Sequence, residues 1–312
     1  QFIEAYFSKN ITFIHHPAIL FIKNIIEPML EYFGFIIEQP DSAHNYSWLN
    51  KNSDVIKLNN QQDLHGYQEL KKLGVTTKDW FITFHARDSS YLKSLHSSID
   101  FSYHDFRDCS VQNYLKATDY ISKLGGYSFR LGSKVNEALP NNINDHIIDY
   151  ATNHRTDFLD IFLCVNSTFI FANTSGLYLA ALLAGVPVAG TNVIPFTACP
   201  QNKKDLFIPK KLKHLKSNEL LTFSEIYRQN LDEAHTSQDY TNANIIPIEN
   251  SPDEILDLSK EMLDKIAGIK PLPEHIKLQK EFKRRFMSKF EGYEEAADIS
   301  YKFLLRHPQL MK

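Results

Sequence analysis

Cysteine is scarce: Cys109, Cys164 and Cys199 are odd in number and widely spaced across 312 residues. They form neither a disulfide framework nor a CxxC metal site, and they suit a reducing compartment. A basic excess is also lacking, because 34 Lys and Arg stand against 37 Asp and Glu, a formal charge of −3. That excludes a cationic field for nucleic acid, and no nucleic-acid partner is expected. Neither a P-loop lysine motif nor GxGxxG occurs, which weighs against P-loop NTPases and Rossmann dehydrogenases; GxSxG is missing too, which weighs against an α/β-hydrolase. No His/Cys/Asp cluster has ligand spacing, so no metal and no other cofactor is expected. No apolar run reaches the length of a membrane span: "ITFIHHPAILFIKNIIEPML" is interrupted by His15, His16, Lys23 and two prolines and reads as a buried strand–helix element. The chain starts with Gln rather than Met, which leaves room for a preceding segment, an anchor within it, or a larger polypeptide.

What is present is alternation. From Asp54 onward, "DVIKL" reads as a short strand and "NQQDLHGYQELKKLG" as an amphipathic helix stopped at Gly74. "DWFITFHAR" (79–87) is nearly continuous in apolar residues and reads as a strand buried on both faces. Residues 88–110 are a polar loop too long for mere connection. A helix stopped by Gly-Gly, strand "YSFRLG", short strand "HIIDYA" (146–151), helix "RTDFLDIFLCVN" and strand "TFIFAN" follow. A small-residue helix over 175–185 and strand "VPVAGTN" close the run. "DLFIPKKL" and "ANIIPIE" read as further strands, and "SPDEILDLSKEML" has the capping box and first-turn proline of a helix start. The last segment, from Glu274 to Pro308, reads as helical. The expected class is α/β, a Rossmann-type parallel sheet covered on both faces.

Ligands of open parallel sheets bind beyond the carboxyl ends of the strands. Those ends carry His85-Ala86-Arg87-Asp88, Arg130-Leu131-Gly132, Asp149-Tyr150, Asn173-Thr174-Ser175-Gly176 and Thr191-Asn192. Two arginines and a helix N-terminus on one edge would suit a phosphate or pyrophosphate, through bidentate guanidinium bonds and free N–H donors. Each residue also has a plainer reading. Arg87 and Arg130 could be surface residues, His85 a hydrogen-bonded core histidine, Asp88 a turn cap, Asp157 and Asp160 first-turn acids, and Arg107 with Asp108 a surface pair.

"HARDSSYL", "FRDCSVQNYLKATDYISKLGGYSFRLGS" and "DYATNHRTDFLDIFLCVNSTFIFANTSGLYLAALLAGVPVAGTNVIPF" together resemble a group of bacterial glycosyltransferases from surface-polysaccharide gene clusters. These are similar in turn to fucosyltransferase-type GT-B enzymes, and the likeness covers roughly residues 55–270. It implies a GT-B-like fold with a smaller or truncated N-terminal α/β domain. The implied divisions are an acceptor-side region over 1–76, a nucleotide-sugar-binding domain over 77–270, and C-terminal helices over 271–312 that pack back on them. It also implies that Arg87 holds the donor's pyrophosphate. The block with Asp157 or Asp160, Cys164 and Asn173-Thr174-Ser175 likewise matches that family.

The expected activity is metal-independent, inverting transfer of a sugar from a nucleotide-sugar to a hydroxyl of a glycan or lipid-linked glycan. Arg87, Arg130, Gly132, Tyr150, Asp160, Asn173, Thr174, Ser175 and Gly176 are the donor-side candidates. Asp88, ahead of His85, is the candidate base, with Asp108 in reserve and Tyr91, Arg107 and Asp108 as acceptor-side or loop residues. The expected place is the cytoplasm, with the inner face of the membrane left open. A nucleotide-sugar epimerase or hydrolase, or a non-catalytic binding module of a larger protein, would use the same anion pocket.

Overall fold

The structure is a computed structural model that describes residues 50, 56–95, 100–176, 178–200, 202–290 and 292–312. The apolar stretch near the start, the first two residues of "DVIKL" and most of the region expected over 1–76 lie outside the described residues. Residues 46–312 belong to one compact unit.

Its centre is a seven-stranded sheet in the order β3-β2-β1-β4-β5-β6-β9, every neighbouring pair parallel. The strands are β1 (Phe81–Phe84), β2 (Tyr127–Arg130), β3 (Ile147–Ile148), β4 (Ile170–Ala172), β5 (Val188–Val193), β6 (Leu206–Pro209) and β9 (Asp298–Ile299). Strands β7 (Lys211–His214) and β8 (Ile245–Ile248) form a separate antiparallel pair. Alternation along β1 and β4 feeds two cores: Ile82, Phe84, Phe169 and Phe171 on one face, Phe81, Ile170 and Ala172 on the other. A strand buried on both faces needs apolar residues at every position, so its sequence is continuous rather than alternating.

Helix α1 (Asn60–Lys72) starts where the sequence places it, because Asn59 and Gln62 close a capping box around its first turn. It packs on α2 (Asp157–Asn166), whose Thr156 accepts from the Leu159 N–H. Gly66 lies at that crossing, where a Cβ would run into the Phe162 ring. Gly66→Ala should therefore lower stability by about 1–3 kcal/mol, although alanine is the better helix former by about 1 kcal/mol. Chemical denaturation checks the sign, and a gain in stability would contradict the close approach.

Helices α3 (Pro252–Ile266) and α4 (Pro273–Phe286) cover the other face, with Ser251 and Glu254 forming the expected capping box on α3. Four expectations change. Ile56–Leu58 are not a sheet strand; the Ile56 N–H bonds to the Leu183 carbonyl at 2.9 Å. "HIIDYA" is a strand only at Ile147–Ile148, and Tyr150–Asn153 turn into a helix. The helix expected over 175–185 spans only Tyr178–Leu183, because Thr174 first bonds across to the Ile194 N–H at 3.3 Å and the chain bends through 174–176. The C-terminal segment is not helical throughout, because β9 within it pairs with β6 and closes the sheet edge.

Candidate active site

Strand β1 has β2 on one side and β4 on the other: the chain runs outward from β1 to β2 and β3, then crosses back to β4 and continues outward the other way, so the strand order reverses here. A crevice opens at the carboxyl end of such a switch point. Here it is a pocket of about 500 Å³ lined by the segments after β1, β2 and β4, by the start of α2, and by the loop before Asp108. The His85 N–H bonds to the Phe171 carbonyl at 3.0 Å and the Leu131 N–H to the Phe84 carbonyl at 2.8 Å, which fixes the rim to the sheet. Gly132 is required there, since a Cβ would meet Val135 at 2.8 Å.

Of the residues singled out from the sequence, His85, Arg87, Asp88, Tyr91, Arg107, Gly132, Asp160, Ser175 and Gly176 line this pocket. The others do not line it. Arg130 is buried, with a 2.6 Å bond to the Glu137 carbonyl and a 3.5 Å approach to Asp149. The Tyr150 hydroxyl accepts from the Thr156 N–H and lies 3.0 Å from Asp160, so it holds the start of α2. Asn173 is buried and donates to the Cys109 sulfur at 3.3 Å. Thr174 is taken by Ile194, and Asp108 is paired with Arg87. Thr191 and Asn192 are buried away from the pocket, with Thr191 bonded to Tyr114 and Asn192 to Asn250.

Sequence reasoning passed over Phe101, His104, Lys134 and Arg155, which also line the pocket. Lys134 and Arg155 follow β2 and β3 on the carboxyl side of the sheet, and that position was the available signal. Four cations, Arg87, Arg107, Lys134 and Arg155, thus face two carboxylates, Asp88 and Asp160, among the lining residues. Arg155 is held at 2.8 Å by both Asp157 and Asp160. Arg87 donates to Asp108 and, at 3.3 Å, to the His104 carbonyl. Arg107 and Lys134 have no ion pair among the described residues.

Buried polar atoms here are left without partners. Among the described residues Arg107 Nε, Arg155 Nε, Ser175 Oγ and His104 Nδ1 are inaccessible to solvent and have no hydrogen-bond partner. Buried polar groups are ordinarily paired, so this concentration marks a place where a ligand's oxygens would complete the set. Burial pulls the Arg87 and Arg107 guanidinium pKa values down and drives His104 to about 4, leaving His104 neutral at pH 7.

His85 is also pulled below its ordinary value, chiefly by burial. Its Nδ1 lies 3.1 Å from the Leu131 carbonyl, which can only accept. Nδ1 therefore carries the proton and Nε2 keeps a free lone pair. Asp88 is differently occupied: one oxygen accepts from the Ser90 N–H at 2.8 Å and the other from the Asn136 N–H at 2.9 Å. Lys210, buried at the β6–β7 junction, donates to the carbonyls of Phe106 and Asp108 at 3.0 and 2.6 Å, which fixes the loop bearing Arg107. Among the described residues no group of three His, Cys, Asp or Glu side chains could hold a metal ion.

No protein-family model matches the chain, and no curated protein matches it. A solved structure of a family 9 glycosyltransferase from Veillonella parvula DSM 2008 is similar, at 12% identity and a TM-score of 0.41. The match takes in 67% of this chain and 53% of that one, so the chain spans about half the length of that structure. No helix among the described residues is long and apolar enough to cross a membrane.

Proposed function

We propose that the protein is a glycosyltransferase of GT-B type that moves a sugar from a nucleotide-sugar to an acceptor hydroxyl without a metal ion. The observation that carries this reading is the switch-point pocket with its excess of arginine and its unpaired buried donors. As the anomeric bond breaks, negative charge grows on the departing phosphate. Preorganised guanidinium groups stabilise that charge most where water is excluded. Arg107, unpaired in the resting site, and Arg87, released from Asp108, would hold the phosphate oxygens in this reading, with Ser175 Oγ and the exposed main chain at Gly176 beside them. The helix contribution is smaller than the sequence suggested, because Tyr178–Leu183 is a six-residue helix that begins beyond this turn.

Inverting transfer needs a base at the acceptor hydroxyl. His85 Nε2 fits that role better than Asp88, whose two oxygens each hold a main-chain N–H. Turnover tests the proposal directly. A purified preparation incubated with a nucleotide-sugar and a glycan acceptor mixture in excess EDTA should release the nucleotide in step with sugar transfer. Release that requires added manganese or magnesium, or binding with no turnover of any donor, would overturn it.

Gly176 offers a clean probe of the same turn, being exposed with nothing within 4 Å of an added Cβ. Gly176→Val should leave the unfolding free energy within about 1 kcal/mol of wild type yet weaken donor binding at least about tenfold. Loss of stability with unchanged donor affinity would remove this turn from the site.

A further inference from the structure

We infer that the corner between α3 and α4, at the amino edge of the sheet, docks the protein onto an anionic phospholipid bilayer. Ile266, Ile269 and Leu272 are 42%, 59% and 55% exposed, three large apolar side chains within seven residues. Isolated exposed apolar residues are ordinary on a surface; three of them at one interhelical turn are not. The turn is stiff. Gly268, at φ +74°, ends α3, the Ile269 N–H returns to the Asp264 carbonyl at 2.8 Å, and Pro271 and Pro273 follow. The apolar tips are therefore presented without the entropy cost of ordering a loop.

Behind this knuckle lies a cleft of about 590 Å³ whose wall includes Ile269 and Pro271. Lys203, Lys270, Lys280 and Arg284 line it, all exposed and none paired with a carboxylate among the described residues. Its acids are mostly spent. Asp298 is bound by Lys265 and Lys283, and Glu261 is buried among Ser300 Oγ, Gln279 Nε2 and the Tyr301 N–H, leaving Asp264 and Glu294. The local balance is cationic on a chain whose formal charge is −3. Apolar side chains that enter the acyl boundary, beside a cation-lined cleft that meets acidic headgroups, are the two terms that hold a peripheral protein on a membrane. The candidate active site opens at the opposite, carboxyl edge of the sheet and stays turned to solvent, so this inference stands apart from the glycosyltransferase reading.

Sedimentation with vesicles tests it, using the full chain. Vesicles of equal parts phosphatidylglycerol and phosphatidylcholine should pellet the protein, vesicles of phosphatidylcholine alone should not, and the bound fraction should fall as salt rises. The pairs I269E/L272E and K270E/K280E should each lower partitioning about tenfold or more, with melting temperatures unchanged because all four side chains are exposed. Failure to pellet with the anionic vesicles overturns the inference, and so does equal pelleting with phosphatidylcholine alone. Wild-type pelleting by either variant overturns it as well. Displacement from vesicles by single-stranded DNA that binds I269E/L272E as well as wild type would mark a polyanion site instead.

Discussion

Arg87→Ala is expected to remove most sugar transfer, a loss of about 2–4 kcal/mol in transition-state stabilisation, while the protein stays folded. Arg87 follows β1 at the pocket and is 9% exposed, so its charge acts where water is largely excluded. Its resting partner is Asp108, a rim residue whose side chain keeps 25% exposure and can return to solvent when the arginine is gone. Two companions separate phosphate binding from loop tethering. Asp108→Asn breaks the same pair yet leaves the guanidinium, so transfer should persist if Arg87 serves the donor and collapse if it serves only the loop. Arg87→Lys should be poor, since a point charge cannot reproduce the bidentate fork. Steady-state rates on the three variants decide, and near wild-type turnover in Arg87→Ala would exclude Arg87 from the site.

His85→Gln is expected to lower kcat by about 10²–10⁴ with little change in donor affinity, as removal of a general base does. The pH profile carries the sign. Burial lowers the His85 pKa, so the imidazole is neutral and competent across the neutral range. The wild-type rate should be flat near pH 7 and fall on the acid side, as pH drops through a value below the ordinary histidine one. In His85→Gln that acid limb should vanish. An acid limb that persists in the variant would return the role of base to Asp88.

Much of the sheet was legible because its strands are buried on both faces. "IFA" is apolar throughout and "FITF" at all but Thr83, the pattern of a strand buried on both faces. The start of α3 was legible because its cap is local, with Ser251 and Glu254 three residues apart. What the sequence could not give is direction beyond a strand end. Arg130 and Arg155 both stand near carboxyl-edge loops, yet Arg130 is turned inward onto the Glu137 carbonyl while Arg155 lines the pocket. That choice depends on how the 133–139 loop folds back, which is a tertiary fact. His104 joins the site through a loop whose main chain is anchored by Lys210, about a hundred residues later in the chain. Strand β9 was unreadable for a related reason: two residues have no periodicity, and only pairing with β6 makes them a strand.

In the proposed reaction the switch-point pocket receives the phosphates of a nucleotide-sugar. Thermal melting in excess EDTA, over UDP-, GDP-, ADP- and CMP-sugars, tests it most directly when wild type and Gly176→Val are run side by side. A ligand that binds only the folded state, at about a hundredfold above its Kd, should raise the wild-type Tm by about 5–10 °C. The same ligand should raise the variant's Tm far less, from the same starting value. No shift with any nucleotide-sugar, or an equal shift in both proteins, would contradict the account.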